Sequence, residues 1–270
     1  MLVLYESSNS VCCQKVRLVL CEKGLAWESR EVNLFRGEQY DPDYLKINPK
    51  GVVPTLLHDG RPLVESTLIC EYVDEVFPEP RLIPVDAYER AQMRLWSKAV
   101  DEGLHEGVTE ISFSAMFRER MKNMPQSQRE ARFRNVGDPK RRDRFVSAYE
   151  LGLESPFVLW ALAAYERAFK SMDDALAEGG NWLVGGSFTL AEINLMPYLA
   201  RLEHLALLDL WIEGRPRVGA WWERSKARAS FTAAIADPLT QKEREEMQTF
   251  GSRVRSRIGE LHAELLSGPV

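Results

Sequence analysis

The stretch Asn48-Pro49-Lys50-Gly51-Val52-Val53-Pro54-Thr55-Leu56-Leu57-His58-Asp59-Gly60, followed closely by Glu65-Ser66, decides the reading of this chain. Asn48-Pro49 and Lys50-Gly51 are turn chemistry. Thr55 to His58 suits a short strand, and Asp59-Gly60 is a strong two-residue hairpin signal, because both central residues of that turn need positive φ. The hairpin requires a partner strand, which Arg61 to Val64 supplies. Pro54 stands at a strand start, where its missing N–H costs least. From Glu65-Ser66-Thr67 the pattern turns helical and continues to Val76.

Working outward, Leu2 to Tyr5 reads as a buried strand, and Ser7-Ser8-Asn9-Ser10 as a polar loop rich in helix caps. A helix follows from Val11, with Val16, Leu18, Val19 and Leu20 apolar and Gly24 as its C′ residue. Trp27 to Val32 reads as a second strand, and a loop with a short helix covers Leu34 to Ile47. The order β-α-β-α-β-β-α is thioredoxin-like. Its first two strands, joined through a helix, predict a right-handed parallel crossover.

Phe77-Pro78-Glu79-Pro80 stops the third helix, and residues 79–85 form a proline-marked linker. Everything beyond reads as helix: Ala87 to about Met121, Val158 to Leu176, a segment through Trp221-Trp222, and 240–266. Gly179-Gly180 and Gly185-Gly186 bracket a turn before Ser187-Phe188-Thr189-Leu190-Ala191-Glu192, where Ser187 or Thr189 caps a helix with a downstream acid. Residues 122–144 break the pattern with Pro125, Gly137, Pro139 and a run of arginines from Arg129 to Arg144, a charged connection or a projecting helix. The expectation is an α/β N-terminal thioredoxin-like domain over residues 1–78. An all-α C-terminal domain over 86–270 follows, with an insertion at about 122–145.

At 270 residues, with 45% hydrophobic and 28% charged side chains, the chain has the composition of a globular protein of one or two domains. A net charge of −5 gives no electrostatic reason to expect nucleic acid or an anionic membrane as partner. Cys12, Cys13, Cys21 and Cys70 have no metal-ligand spacing with the histidines, so no metal is expected. Four cysteines without a disulfide pattern fit a reducing cytoplasm. The opening apolar run is too short for a signal peptide, and no uncharged stretch approaches the length of a membrane span.

The Val-Pro strand start, the hairpin and the Glu-Ser helix start together resemble the glutathione site of the cytosolic glutathione transferases. The segment Gly-x-Ser-Phe-Thr-Leu-Ala-acid, ending at Glu192, is similar to the folding motif of their helical domain, which usually has Asp there. The resemblance implies the glutathione transferase fold and glutathione as co-substrate. It also implies a cis peptide before Pro54, so that the Val53 backbone pairs with the cysteinyl part of glutathione as an added strand does. It implies further that Glu65-Ser66 holds the γ-glutamyl carboxylate at a helix N-terminus, where free N–H groups and the dipole favour an anion. Ile47-Asn48-Pro49, His58-Asp59-Gly60, Ile69-Cys70-Glu71-Tyr72 and Arg90-Ala91-x-Met93-Arg94-x-Trp96 look like the bacterial β-etherases that cleave aryl ethers. Ser10, Gln14-Lys15-Val16-Arg17-Leu18-Val19 and the insertion look like the ganglioside-induced differentiation-associated proteins. Those carry a C-terminal membrane anchor, and no such anchor is expected here, which favours the bacterial branch.

A thiol with its ordinary pKa of about 8.5 is mostly protonated at neutral pH, and transfer chemistry needs the thiolate. The resemblance puts the activating side chain at the turn after strand one, where Ser10 matches. Its other reading is a plain helix cap. Cys12 or Cys13 would instead serve a glutathione-dependent thiol reductase through a mixed disulfide. A third reading is a transferase-like binding module without catalysis. The expectation is a transferase whose bound glutathione thiolate attacks an electrophilic carbon of a hydrophobic substrate, such as an aromatic ether. Ser10 is its catalytic residue, Val53, Pro54, Glu65 and Ser66 bind glutathione, and the assembly is a homodimer. Cys21 and Cys70 read as core, and His58 as a surface strand residue.

Overall fold

The computed structural model describes residues 1–178 and 180–268. Gly179 of the expected glycine turn therefore lies outside the described residues. Along the chain run β1 (Leu2–Glu6), α1 (Val11–Glu22), β2 (Glu28–Glu31), α2 (Pro42–Ile47), β3 (Thr55–His58), β4 (Arg61–Val64) and α3 (Ser66–Val76). The helices α4 (Ala87–Ala99), α5 (His105–Ser112), α6 (Arg118–Lys122), α7 (Gln126–Arg134), α8 (Pro139–Leu151), α9 (Pro156–Ala177) and α10 (Leu190–His204) follow. The chain closes with α11 (Asp209–Ile212), α12 (Pro216–Lys226), α13 (Ala229–Phe231) and α14 (Gln241–Ser267). Two compact units result: residues 1–98, 175–197 and 220–240 in one, and 99–174, 198–219 and 241–270 in the other.

The first unit is built on a four-stranded sheet in the order β2-β1-β3-β4. β1 pairs in parallel with β2, Val3 opposite Glu28, and antiparallel with β3, Val3 opposite Leu57. Central β1 is apolar and buried, whereas β2 at the edge is exposed and charged. The other edge strand, β4, carries Pro62, which an edge tolerates. Asp59 and Gly60 both have positive φ, as the two-residue hairpin demands. α1 ends as expected: Gly24 at φ +62° lets Leu25 N–H reach Leu20 O and Gly24 N–H reach Cys21 O.

Glu192 sits at the third position of α10 and completes a capping box with Thr189. One carboxylate oxygen accepts from the Thr189 N–H and hydroxyl, each at 2.8 Å, and the other from the Leu183 N–H at 2.7 Å. The longer side chain thus keeps the cap and ties the preceding turn to the helix. Two smaller expectations need correction. Cys21 is half-buried rather than core, and His58 is half-buried, its Nδ1 2.7 Å from the Tyr72 hydroxyl. Cys70 is fully buried, as expected.

In the second unit, the chain from Ala99 to α6 stays helical but loosens into π turns at Val100–Leu104 and Phe113–Phe117, on either side of α5. The expected connection at 122–144 is two helices, α7 and α8, the second begun by Asp138, whose side chain accepts from the Lys140 and Arg141 N–H groups. Phe113, Met121 and Ala148 pack there with Phe117, Phe133, Phe145 and Tyr149. Glu110 on α5 is fully buried, and neither of its carboxylate oxygens accepts a hydrogen bond among the described residues. Arg144 Nε stands 3.7 Å from it while the same guanidinium pairs with Glu106 at 2.8 Å. Burial outweighs the Arg144 charge and pushes the Glu110 carboxyl up from 4.5 to about 7.

The folded carboxyl keeps its proton to higher pH than the unfolded chain does. Its contribution to stability is therefore greatest below about 4.5 and falls as pH rises to about 7. Glu110→Gln is expected to remove that fall and to stabilise the fold above pH 7 by about 1 kcal/mol or more. Denaturant midpoints at acidic and alkaline pH check this; an unchanged slope between them contradicts it.

Candidate active site

Three local structures converge in the first unit. The loop after β1 ends at Ser10, which caps α1. Its backbone N–H donates to Ser7 O at 3.0 Å, and its Oγ accepts from Cys13 N–H at 3.4 Å. That cap bond is long, and the Ser10 side chain also hydrogen-bonds the Cys13 thiol. The cap and donor readings of Ser10 do not exclude each other, because a hydroxyl accepts through its oxygen and donates through its proton. Cys12 is half-buried on the first turn. Cys13 is fully buried, and burial pushes its thiol up to about 12 despite the Ser10 hydrogen bond and the nearby Arg17 charge. That opposes the thiolate a reductase would need at Cys13.

The second structure is the segment before β3. The Val53–Pro54 peptide is cis. Val53 is buried in one cluster with Cys13, Val32 and Tyr44, which sets it against the first turn of α1. Its backbone N–H and C=O make no hydrogen bond among the described residues. The neighbouring carbonyl of Val52 is held twice, by the Tyr44 hydroxyl at 2.6 Å and Asn48 Nδ2 at 2.8 Å. Asn48 Nδ2 and the Tyr44 hydroxyl also meet Thr55 Oγ1, each at 3.0 Å. Asn48 Oδ1 accepts from the Lys50 N–H. Gly51, at φ +58°, has no room for a side chain, since a Cβ would meet the Tyr40 ring at 2.9 Å.

The third structure is the start of α3. Glu65 has φ +69°, a conformation that non-glycine residues rarely adopt, and its side chain does not cap the helix. It pairs instead with Lys50 Nζ at 2.5 Å, joining the two loops. Ser66 is the first helical residue and is buried. Lys15 Nζ donates to Thr67 Oγ1 at 2.7 Å and fastens α1 to this helix start. Ser10, Val53, Glu65 and Ser66 are thus drawn together through Cys13, Lys50 and Lys15. Backbone groups without a partner among the described residues, as at Val53, and the N–H groups of a helix start are of the kind that pair with a peptide and with an anion.

The model of the glutathione S-transferase N-terminal domain matches residues 4–81, and that of the C-terminal domain matches residues 129–224. The chain belongs to the glutathione S-transferase family. This family uses glutathione as co-substrate. LigF of Sphingobium sp. strain SYK-6 is 46% identical over 103 residues, 37% of this chain and 40% of LigF. That sequence match therefore spans less than half of the relative. The tetrachloro-p-hydroquinone reductive dehalogenase of Sphingobium chlorophenolicum is 29% identical over 250 residues, 87% of this chain and 96% of that protein. The crystal structure of the β-etherase LigF superposes with a TM-score of 0.78 at 28% identity, covering 87% of this chain and 99% of LigF. Among the described residues no helix is long and apolar enough to cross a membrane, and no group of three or more His, Cys, Asp or Glu side chains is placed to hold a metal.

In the sequence Asn48 reads as turn chemistry and as part of the Ile47-Asn48-Pro49 resemblance, and nothing singles out Tyr44 or Thr55. The available signal was an asparagine before a proline ahead of a buried strand, which says nothing about what its amide will bond. Asn48→Ala is expected to cost about 1–3 kcal/mol, because the Val52 carbonyl and Thr55 hydroxyl lose a buried donor. Glutathione affinity is expected to fall with it, since Val53 is the next residue. Urea midpoints and calorimetric titration check the two effects; unchanged stability contradicts the buried role.

Proposed function

We propose that this chain is a transferase that binds glutathione along the Val53 backbone and activates its sulfur at Ser10. The observation that carries the reading is the Val53 backbone edge, which has no hydrogen-bond partner among the described residues, packed against the first turn of a helix capped by Ser10. The cysteinyl part of glutathione pairs with Val53, positioned by Pro54. Its γ-glutamyl carboxylate takes the α3 N-terminus at Glu65-Ser66, where the Ser66 hydroxyl and first-turn amides donate to it. The sulfur then meets the Ser10 hydroxyl, which donates to the thiolate, while the α1 dipole stabilises the same charge.

The reaction is nucleophilic substitution at carbon. For an aromatic ether, which the likeness to LigF supports, the sulfur electron pair forms a C–S bond as the C–O bond breaks. The aryl oxygen leaves with the bonding pair as a phenolate and takes a proton from water. The assembly we infer is a cytoplasmic homodimer acting on a hydrophobic electrophile, without nucleic acid or membrane as partner.

Two variants test the site. A hydrogen bond to a charged partner contributes about 1.5–3 kcal/mol, so Ser10→Ala is expected to raise the bound thiol pKa by roughly one to two units. Glutathione affinity changes little, and the rate deficit shrinks as pH rises and the thiol ionises unaided. Thiolate absorbance against pH reports the shift; superimposable profiles rule out the hydroxyl donor. Ser66→Ala is expected to weaken glutathione binding about tenfold or more by calorimetry. Undiminished affinity removes the carboxylate site. Turnover of no member of a panel of electrophiles by the parent protein would favour a binding module instead.

A further inference from the structure

We propose that Arg17 is a positioning residue for the Ser7–Ser10 loop, directing the Ser10 hydroxyl by holding the Ser8 carbonyl. The inference rests on the reading of Ser10 as the thiol's donor. Arg17 lies seven residues beyond Ser10, two turns along α1, and helical side chains lean toward the N-terminus, so its long side chain reaches back to the loop. It is only 3% exposed. Its guanidinium serves three acceptors at once: Nη2 donates to Ser8 O at 2.8 Å, Nε to Ala234 O at 2.8 Å, and Nη1 to the Glu6 carboxylate. Glu6 is the last residue of β1, is itself buried, and its other oxygen accepts from Ser29 Oγ at 2.7 Å.

One rigid fork therefore ties the end of the central strand, the loop carbonyl and the Thr232–Ala236 turn to one another. The loop has no strand ladder of its own. Only Asn9 separates Ser8 from Ser10, and the Ser10 N–H bonds back to Ser7 O, so a tilt of the Ser8 peptide is passed to Ser10. Stability alone is a poor reason for this arrangement, because desolvating a buried ion pair costs about as much as the pairing returns. Geometry is the better one. A planar guanidinium fixes three acceptors, while a lysine offers a shorter-reaching point charge that neutralises Glu6 and releases the carbonyls.

The test is the pH profile of kcat/KM and of thiolate absorbance for Arg17→Lys, made in the parent and in Ser10→Ala. In the parent, Arg17→Lys is expected to raise the bound thiol pKa by about half a unit, a loss of up to about threefold in thiolate at pH below that pKa. Glutathione affinity should hold within about twofold, and in the Ser10→Ala background no further shift should occur. A purely structural role lowers the melting temperature in both backgrounds and leaves the profile in place, which overturns the proposal while Ser10→Ala still shifts. Equal shifts in both backgrounds also overturn it, since Arg17 would then act on the sulfur by another route. An unshifted Ser10→Ala profile ends the Ser10 reading and this proposal together. If Arg17→Lys does not fold, Arg17→Gln, which keeps a donor but cannot span the three acceptors, is expected to give the same Ser10-dependent shift, and a parental profile overturns the proposal.

Discussion

The two-sided pairing of β1 is the constraint from which the candidate site follows. Tyr5 lies opposite Thr55 on one edge and Arg30 on the other. Because that pairing with β3 is antiparallel, the chain leaving β1 toward Ser7 and the chain entering β3 from Val53 pass the same end of the sheet. A slip of one residue would exchange the faces of the strand and separate the capping serine from the valine backbone. The hairpin at Asp59-Gly60 protects that register from the far end, since a two-residue turn permits one alignment of β3 with β4.

Backbone groups near the sheet but outside its ladder need partners of another kind. The Val52 carbonyl takes two side-chain donors, Tyr44 and Asn48, and the Ser8 carbonyl takes Arg17. Both devices use buried polar side chains, whose desolvation is repaid only by several good bonds each. Val53, between such anchored neighbours, has backbone groups with no partner among the described residues. In a rigid frame that is a binding edge; in a loose one it would be an unsatisfied defect.

The second unit shows the opposite economy. Glu110 is buried with no hydrogen-bond partner among the described residues, and Arg144 is shared with Glu106. The π turns on either side of α5 add a residue to each helical turn and rotate the side chains that follow, which a purely apolar pattern would not require.

By itself the sequence determined what depends on local chemistry. Gly24 as helix end, Asp59-Gly60 as hairpin, Ser10 as cap and the acid after Thr189 as capping partner were all legible, because each acts within a few residues of itself. The order of elements in the α/β part and the helical character of the remainder were legible too, from hydrophobic period and proline breaks. Tertiary structure alone decided the contacts that join distant segments. Cys12 and Cys13 are adjacent and chemically identical, yet one is half-exposed and the other sealed among Val32, Tyr44 and Val53. Arg17 looked like one more charge on an amphipathic helix until the fold brought Glu6, Ser8 and Ala234 around it. The same holds for Asn48, whose partners at Val52 and Thr55 exist only once α2 and β3 are in place. The physical reason is common to all three: burial and hydrogen-bond satisfaction are properties of a packed neighbourhood, and a residue's own chemistry does not specify its neighbours.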